Sequence, residues 1–292
     1  MRTCPRVSVC TALVMACGCC LSAANLWAAA DKVTKYARFQ AGQTVAYGVI
    51  EGDKITQIEG DLFGTWKKTA TSHDLKSVRL LVPTQPTQVL AMAGNYKSHL
   101  KNSKVPEKFQ IPQAFFKSPS CLVPDGADVV IPPGTKDVHY EAELVIVIGK
   151  LAKNVPEGKA MDYVFGVTCG NDISARDWQK NDVQWWRAKG SDTFGPCGPV
   201  IVAGLNYDDL QVQMRLNGKV VQDQSSKDLI HGVAKTVSFL SQHITLHPGD
   251  LIYTGTPGET TAIRPGDLME VEVAGVGVLK NKVAEVSVEQ AK

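Results

Sequence analysis

Apolar and polar positions alternate from Tyr36 to Ile58, with breaks at Gly42-Gln43 and at Glu51-Gly52-Asp53-Lys54. A period of two is that of a strand with one buried face, and the Gly and Asp residues at the breaks suit tight turns. The pattern predicts a small β-rich N-terminal unit. Val82-Pro83 to Pro86-Thr87 reads as a proline-marked connection, so a boundary is placed near Pro86, separating residues 31–86 from 87–292. Beyond it, the apolar stretch Val89 to Ala93 leads into Gly94-Asn95-Tyr96. Strands are predicted at Ala114 to Lys117, Val129 to Ile131, Ala142 to Ile148, Gly198 to Ala203, Gln211 to Leu216, Leu251 to Thr254, Leu268 to Val273 and Lys282 to Val288. Helical spacing is rarer: Pro156 to Met161, Ser174 through Gln179 and onward, and Ile230 to Gln242, where Val233, Val237 and Leu240 share a face. Most strands are separated by Gly and Pro turns, which makes the expected fold class β-rich α+β, a sandwich or roll, over a doubly wound α/β sheet.

The 292 residues, 44% of them hydrophobic, suffice for a sizeable core and exclude a disordered chain. The first thirty stand apart. Arg2 and Arg6 precede a mostly apolar run from Val7 to Leu21, and Leu26-Trp27-Ala28-Ala29-Ala30 offers small residues for cleavage. That order is a secretory signal peptide, so residues 1–30 are expected to be removed, leaving an exported, periplasmic or secreted chain that begins at Asp31 and carries no membrane span. Thr11, Gly18 and Ser22 break the run, which is short for a retained bilayer helix. Val14-Met15-Ala16 before Cys17 loosely resembles a lipoprotein site, which keeps lipid anchoring as an alternative. Cleavage would take Arg2, Arg6 and no acid, leaving basic and acidic residues balanced at 29 each. Nothing in that balance points to nucleic acid. Cys121, Cys169 and Cys197 would remain; odd in number and without zinc spacing, they read as buried free thiols.

The chemistry concentrates at Glu141 and Glu143, which open the apolar run Leu144 to Ile148. Residues two apart in a strand share a face, so the two carboxylates converge. Close together at a buried strand, they repel and lose hydration unless a cation or a shared proton compensates; at an exposed edge they would be ordinary surface pairs. A hard divalent ion with oxygen ligands fits such a start better than zinc does. Asp172, after Gly170-Asn171, offers a third oxygen or, alternatively, caps a helix from which Arg176 and Gln179 project toward the same region. Arg176 there suits a ligand carboxylate, or else a surface pair with Asp177 or Asp182. No Gly-x-Ser-x-Gly elbow, His-Glu-x-x-His or Walker A string occurs, and Gly275-Val276-Gly277 lacks the remainder of a dinucleotide site.

Seven strings stand in an order that resembles the fumarylacetoacetate hydrolase family. They are Gly94 to His99, His139 to Leu144, Met161 to Tyr163, Asp172 to Asp177, Lys189-Gly190, Gly249 to Pro257 and Gly275 to Asn281. The resemblance covers about residues 88 to 288. It implies a mixed β-sandwich roll, frequent homodimerisation, and Mg²⁺, Mn²⁺ or Ca²⁺ held by Glu141, Glu143 and Asp172. It also implies a pocket for a small 2-oxo acid lined by Arg176, Gln179, Lys189 and Thr256, under a lid that carries His99. In that setting the cation stabilises a developing enolate, Lys189 adds positive charge, Thr256 holds the carboxylate, and His99 serves as general base. Lys117 is expected to be structural or substrate-adjacent. The activity expected first is hydrolysis of a C–C bond in an acylpyruvate. A lyase, isomerase, hydratase or decarboxylase of a 2-oxo dicarboxylic acid is the alternative, and an exported binding protein without turnover is a third reading. One position departs from the pattern: members with a working lid have Glu three residues after this histidine, where this chain has Asn102.

Overall fold

The run Ala142–Ile148 is buried at every position, as an unbroken apolar stretch flanked by other strands requires. It pairs antiparallel with Val164–Asn171 on one side and with Leu251–Tyr253 on the other. From Val164–Asn171 the sheet continues through Gly195–Ala203 to Thr34–Ala41, then out through Thr44–Glu51, Lys54–Gly60 and Trp66–Asp74. In the other direction, Leu251–Tyr253 pairs parallel with Val89–Met92, whose neighbour is Ala114–Lys117. With Arg79–Leu80 beside Thr34–Ala41 and Leu122–Val123 beside Gly195–Ala203, the described residues form a mixed sheet of twelve strands. A second sheet of five strands, centred on Gln211–Leu216, Leu268–Val273 and Gly277–Glu285, contributes Val212, Met214, Val271 and Leu279 to the core that also holds Leu144, Ile146 and Val167. The chain is thus a β-rich α+β protein.

The computed structural model describes Met1, residues 33–101 and residues 104–285. The expectations for the signal segment, and for Asn102, concern residues outside that range. The N-terminal strands are joined directly to the rest: Thr34↔Ala203, Lys35↔Val202 and Tyr36↔Ile201 run the large sheet across the proline connection.

Several elements differ from the pattern reading. The helix expected from Ser174 begins at Arg176, because Ser174 and Ala175 instead pair with His139 and Val138. The segment Glu157–Tyr163 is wound as a 3-10 helix. The last strand starts at Gly277, five residues before Lys282, since Val273 to Gly277 closes a turn onto Leu268–Val273. The strand Val164–Asn171 was not anticipated. It is fully buried, but Gly166, Thr168 and Gly170 dilute its apolar signal. Gly170 has a steric reason: a Cβ there would lie 2.4 Å from Val145 Cγ2 and 2.5 Å from Tyr253 Cε1.

Candidate metal and substrate site

The register of two strands builds the acid cluster. Ala142 pairs with Asn171, and Asp172 N–H donates to Glu141 O at 2.9 Å, so Asp172 stands directly across from Glu141. Asp172 therefore caps no helix; the residue before the helix is Ala175. Glu141, Glu143 and Asp172 are 4%, 1% and 1% exposed, with ligand oxygens all within 4.8 Å of one another. The surface-pair alternative for the two glutamates is thereby excluded.

Three cations face these acids. Lys189 Nζ donates to Glu141 Oε2 at 2.5 Å and to Asp172 Oδ2 at 2.6 Å. Arg176 Nη2 donates to Glu141 Oε1 at 2.5 Å, and Lys117 Nζ to Asp172 Oδ1 at 2.7 Å. Lys117 is completely enclosed and also donates to the carbonyls of Lys189 and Phe194. Lys189 is buried on the short helix Trp186–Gly190, so it is no solvent lysine. Its ammonium also sits 5.1 Å from the centre of the Phe115 ring.

Burial pushes the Glu141 carboxyl up, but Lys189, Arg176 and His99 outweigh it and hold the group well below the usual carboxylate range. Glu143 goes the other way: burial, then Asp172 and Glu141, push its carboxyl well above that range. Its Oε2 accepts from Gly255 N–H at 2.6 Å. The repulsion at Glu143, together with a donor set made wholly of carboxylate oxygens, is the environment a hard divalent cation relieves, so the residues fit such an ion.

His99 lies on the four-residue helix Lys97–Leu100, after Tyr96. Its Nδ1 is 2.7 Å from Gly258 O. A carbonyl only accepts, so Nδ1 carries the proton and, in the neutral ring, Nε2 is the acceptor. Nε2 is 3.7 Å from Glu141 Oε1. Ser98 Oγ accepts from Gly258 N–H at 3.0 Å and donates to Gln224 Oε1 at 2.6 Å. Thr256 is buried and its hydroxyl donates to Ala142 O at 2.9 Å, while Gln222 Nε2 donates to Thr256 Oγ1 at 2.9 Å.

His99, Glu141, Glu143, Arg176, Gln179, Lys189 and Thr256 line one cleft of about 370 Å³. Asp172 completes the acid cluster at its base. Phe109, Phe115 and Trp185 supply apolar wall, and Lys108 adds a further cation. Sequence reasoning missed Lys108, Trp185 and Gln222. Gln222 lies on Lys219–Ser225, about eighty positions from the backbone amide of Ala142 that it also bonds, and no local signal marks it.

A strand-rich fold buries three carboxylates at the mouth of its central strands, beside a cleft bordered by the short helix that carries His99, an arrangement with the makeup of a small-molecule site. Residues 88–284 match the family described as fumarylacetoacetate (FAA) hydrolase C-terminal, and residues 34–83 match Rv2993c-like, N-terminal. The chain belongs to the fumarylacetoacetate hydrolase family. It is 37% identical over 219 residues to the mitochondrial oxaloacetate tautomerase of Homo sapiens, covering 70% of this chain and 69% of that one. It resembles the structure of a 5-carboxymethyl-2-hydroxymuconate delta-isomerase from Mycobacterium smegmatis, with a TM-score of 0.81 and 38% identity over 86% of this chain and 100% of the other. A maleylpyruvate hydrolase from Sphingobium sp. SYK-6 is more distant, with a TM-score of 0.72 and 26% identity over 86% and 100% of the two chains.

Proposed function

We propose that this chain is a divalent-cation-dependent isomerase that moves a proton at the carbon beside the keto group of a 2-oxo acid. The observation that carries the reading is the His99 ring: Nδ1 is committed to the Gly258 carbonyl, so the acceptor Nε2 faces the acid cluster. Charge supports it. Once a bound cation ionises Glu143, the three carboxylates and the three cations around them cancel. A divalent cation adds two positive charges, which the enolate of a 2-oxo acid, with one carboxylate and one enol oxygen, matches. Glu141, Glu143 and Asp172 would hold Mg²⁺, Mn²⁺ or Ca²⁺, and such an ion supplies polarisation of the keto oxygen.

The chain's own groups do the rest. Arg176, oriented by Gln179, binds a carboxylate, with Thr256 at the opposite side of the acid strand. His99 Nε2 takes the proton from the carbon next to the keto group. The C–H electron pair becomes the C=C bond and the keto oxygen takes the charge, which Lys189 stabilises. Return of the proton from His99 to that oxygen, or to a carbon further along a conjugated chain, completes an isomerisation without consuming water. The tautomerase and delta-isomerase relatives support this reading.

Hydrolysis of an acylpyruvate is the second reading, favoured by the 26% exposure of the His99 side chain, which lets water approach. It stands second because Asn102 supplies no carboxylate to the histidine. Oxaloacetate and fumarylpyruvate, each incubated with the full-length mature chain and Mg²⁺ in deuterated, ¹⁸O-enriched water, separate the two. Accelerated deuterium entry beside the keto group without cleavage supports the isomerase. Fragments carrying ¹⁸O support the hydrolase, and loss of CO₂ supports a decarboxylase. No acceleration with any 2-oxo acid removes all three and leaves a binding protein. Export with cleavage after Ala30 and homodimerisation complete the proposal; mass spectrometry from the native host and light scattering test them.

A further inference from the structure

Arg176 is held on three sides, and one of them leads out of the cleft. Nη1 donates to Gln179 Oε1 at 2.8 Å, while Nη2 donates to Glu141 Oε1 at 2.5 Å and to Thr260 Oγ1 at 2.9 Å. A guanidinium only donates, so the Thr260 oxygen accepts from it, and the single hydroxyl proton of Thr260 must go elsewhere. His139 Nδ1 lies 2.9 Å from that oxygen. At the far end the Asp137 carboxylate only accepts, so His139 Nε2 donates to its Oδ1 at 2.8 Å and, in the neutral ring, Nδ1 accepts the Thr260 hydroxyl proton. A donor-only guanidinium at one end and an acceptor-only carboxylate at the other set the direction of the bonds between them.

The backbone holds these groups in line. Val138–His139 pairs with Ser174–Ala175, immediately before Arg176, and Arg176 N–H donates to Asp137 O at 2.7 Å. On the other side His139 bridges Ala262, and Ile263 N–H donates to Val138 O at 2.8 Å. A two-residue strand therefore spaces the start of the Arg176 helix from the loop that carries Thr260.

We infer that Thr260, backed by His139 and Asp137, is a positioning residue that fixes the plane of the Arg176 guanidinium for an incoming carboxylate. The inference rests on the proposed function only in naming that carboxylate. A planar fork meets a carboxylate well in few orientations, so an Arg free to turn toward Glu141 alone would bind the ligand more weakly.

The test uses the full mature chain, Mg²⁺, and oxalate as an unreactive carboxylate probe, read by calorimetry. Thr260→Val is expected to weaken oxalate about 10-fold, the loss of one hydrogen bond to a charged group. Mg²⁺ affinity without oxalate stays at the parent value, and Thr260→Ser restores oxalate binding. In an Arg176→Lys background, Thr260→Val should add almost nothing, because the group it orients is gone. Equal weakening in both backgrounds, or a Ser variant no better than Val, overturns the inference. Long-range ¹H–¹⁵N spectra of the parent should show the His139 proton on Nε2; a proton on Nδ1 overturns it as well. A parent that binds neither Mg²⁺ nor oxalate sinks the proposed function, while the tautomer still decides the hydrogen-bond chain.

Discussion

The acid cluster and the lid meet in one cleft, yet they are built by different means. Glu141 and Asp172 face each other across a ladder of backbone hydrogen bonds between two wholly buried strands. His99 rides on one turn of helix, tied down by Ser98 and His99 bonds to Gly258 and by an exposed Lys101 to Glu259 pair at 2.8 Å. Ladder positions are costly to move, whereas a short exposed turn held by a few bonds opens easily. Under the proposed function the contrast separates two jobs: the sheet would bind and the turn carrying His99 would move protons. Variants on the two sides should therefore fail in different measurements.

The largest effect should come from the sheet side. Glu143→Ala is expected to abolish Mg²⁺ binding in calorimetry while far-UV circular dichroism and the unfolding midpoint stay near parent values. Tight binding in that variant would break the division between the two regions. Lys117→Met tests the same side through stability. Removing Lys117 takes one of two ammonium partners from the buried Asp172, leaving only Lys189, and should cost about 1–3 kcal/mol. Urea unfolding of the metal-free chain measures it, and a loss below about 1 kcal/mol would show that Asp172 does not depend on Lys117.

On the lid side, His99→Gln should lower kcat by ~10² to 10⁴, the range of general-base contributions, with Mg²⁺ and oxalate affinities unchanged. A matching loss of binding would put His99 among the binding groups and erase the distinction. The smallest effect lies away from both regions, at Glu270 on Leu268–Val273. A hydrogen bond from Lys280, against some burial and with help from Arg215, holds its carboxyl below the usual value. A depressed acid adds stability above its unfolded pKa and loses it as pH falls through the folded one. Glu270→Gln should therefore cost about 0.5–1 kcal/mol at pH 7 and converge on the parent in acid. Neither ligand binding nor kcat should change.

Legibility follows the range of the interactions. The shared face of Glu141 and Glu143 was readable because a strand's period of two is local. So were the bounds of Gln211–Leu216 and Leu268–Val273, which the structure reproduces. Asp172 was ambiguous from local pattern, since a cap and a ligand look alike there. Only the register with Glu141, set by pairing across thirty residues, rules out the cap and puts Asp172 among the acids. Lys189 sits among Trp185, Trp186, Arg187 and Gly190, a string that gives no hint of burial. The family's motif order supplied that residue; periodicity could not. Thr260 and Gln222 were invisible, because the site partners of each lie more than thirty positions away.

Gly170 leaves room for the Val145 and Tyr253 side chains on strands that stand at the ordinary ladder spacing of about 4.8 Å. Two oxygens on opposite sides of a divalent ion are separated by about 4–5 Å, twice a metal–oxygen bond. The sheet thus acts as a ruler, and the gap between Glu141 and Asp172 is measured by peptide geometry before any side chain adjusts. A slip of one residue between these strands would turn Asp172 to the opposite face and dismantle the triad with all three acids still in the sequence.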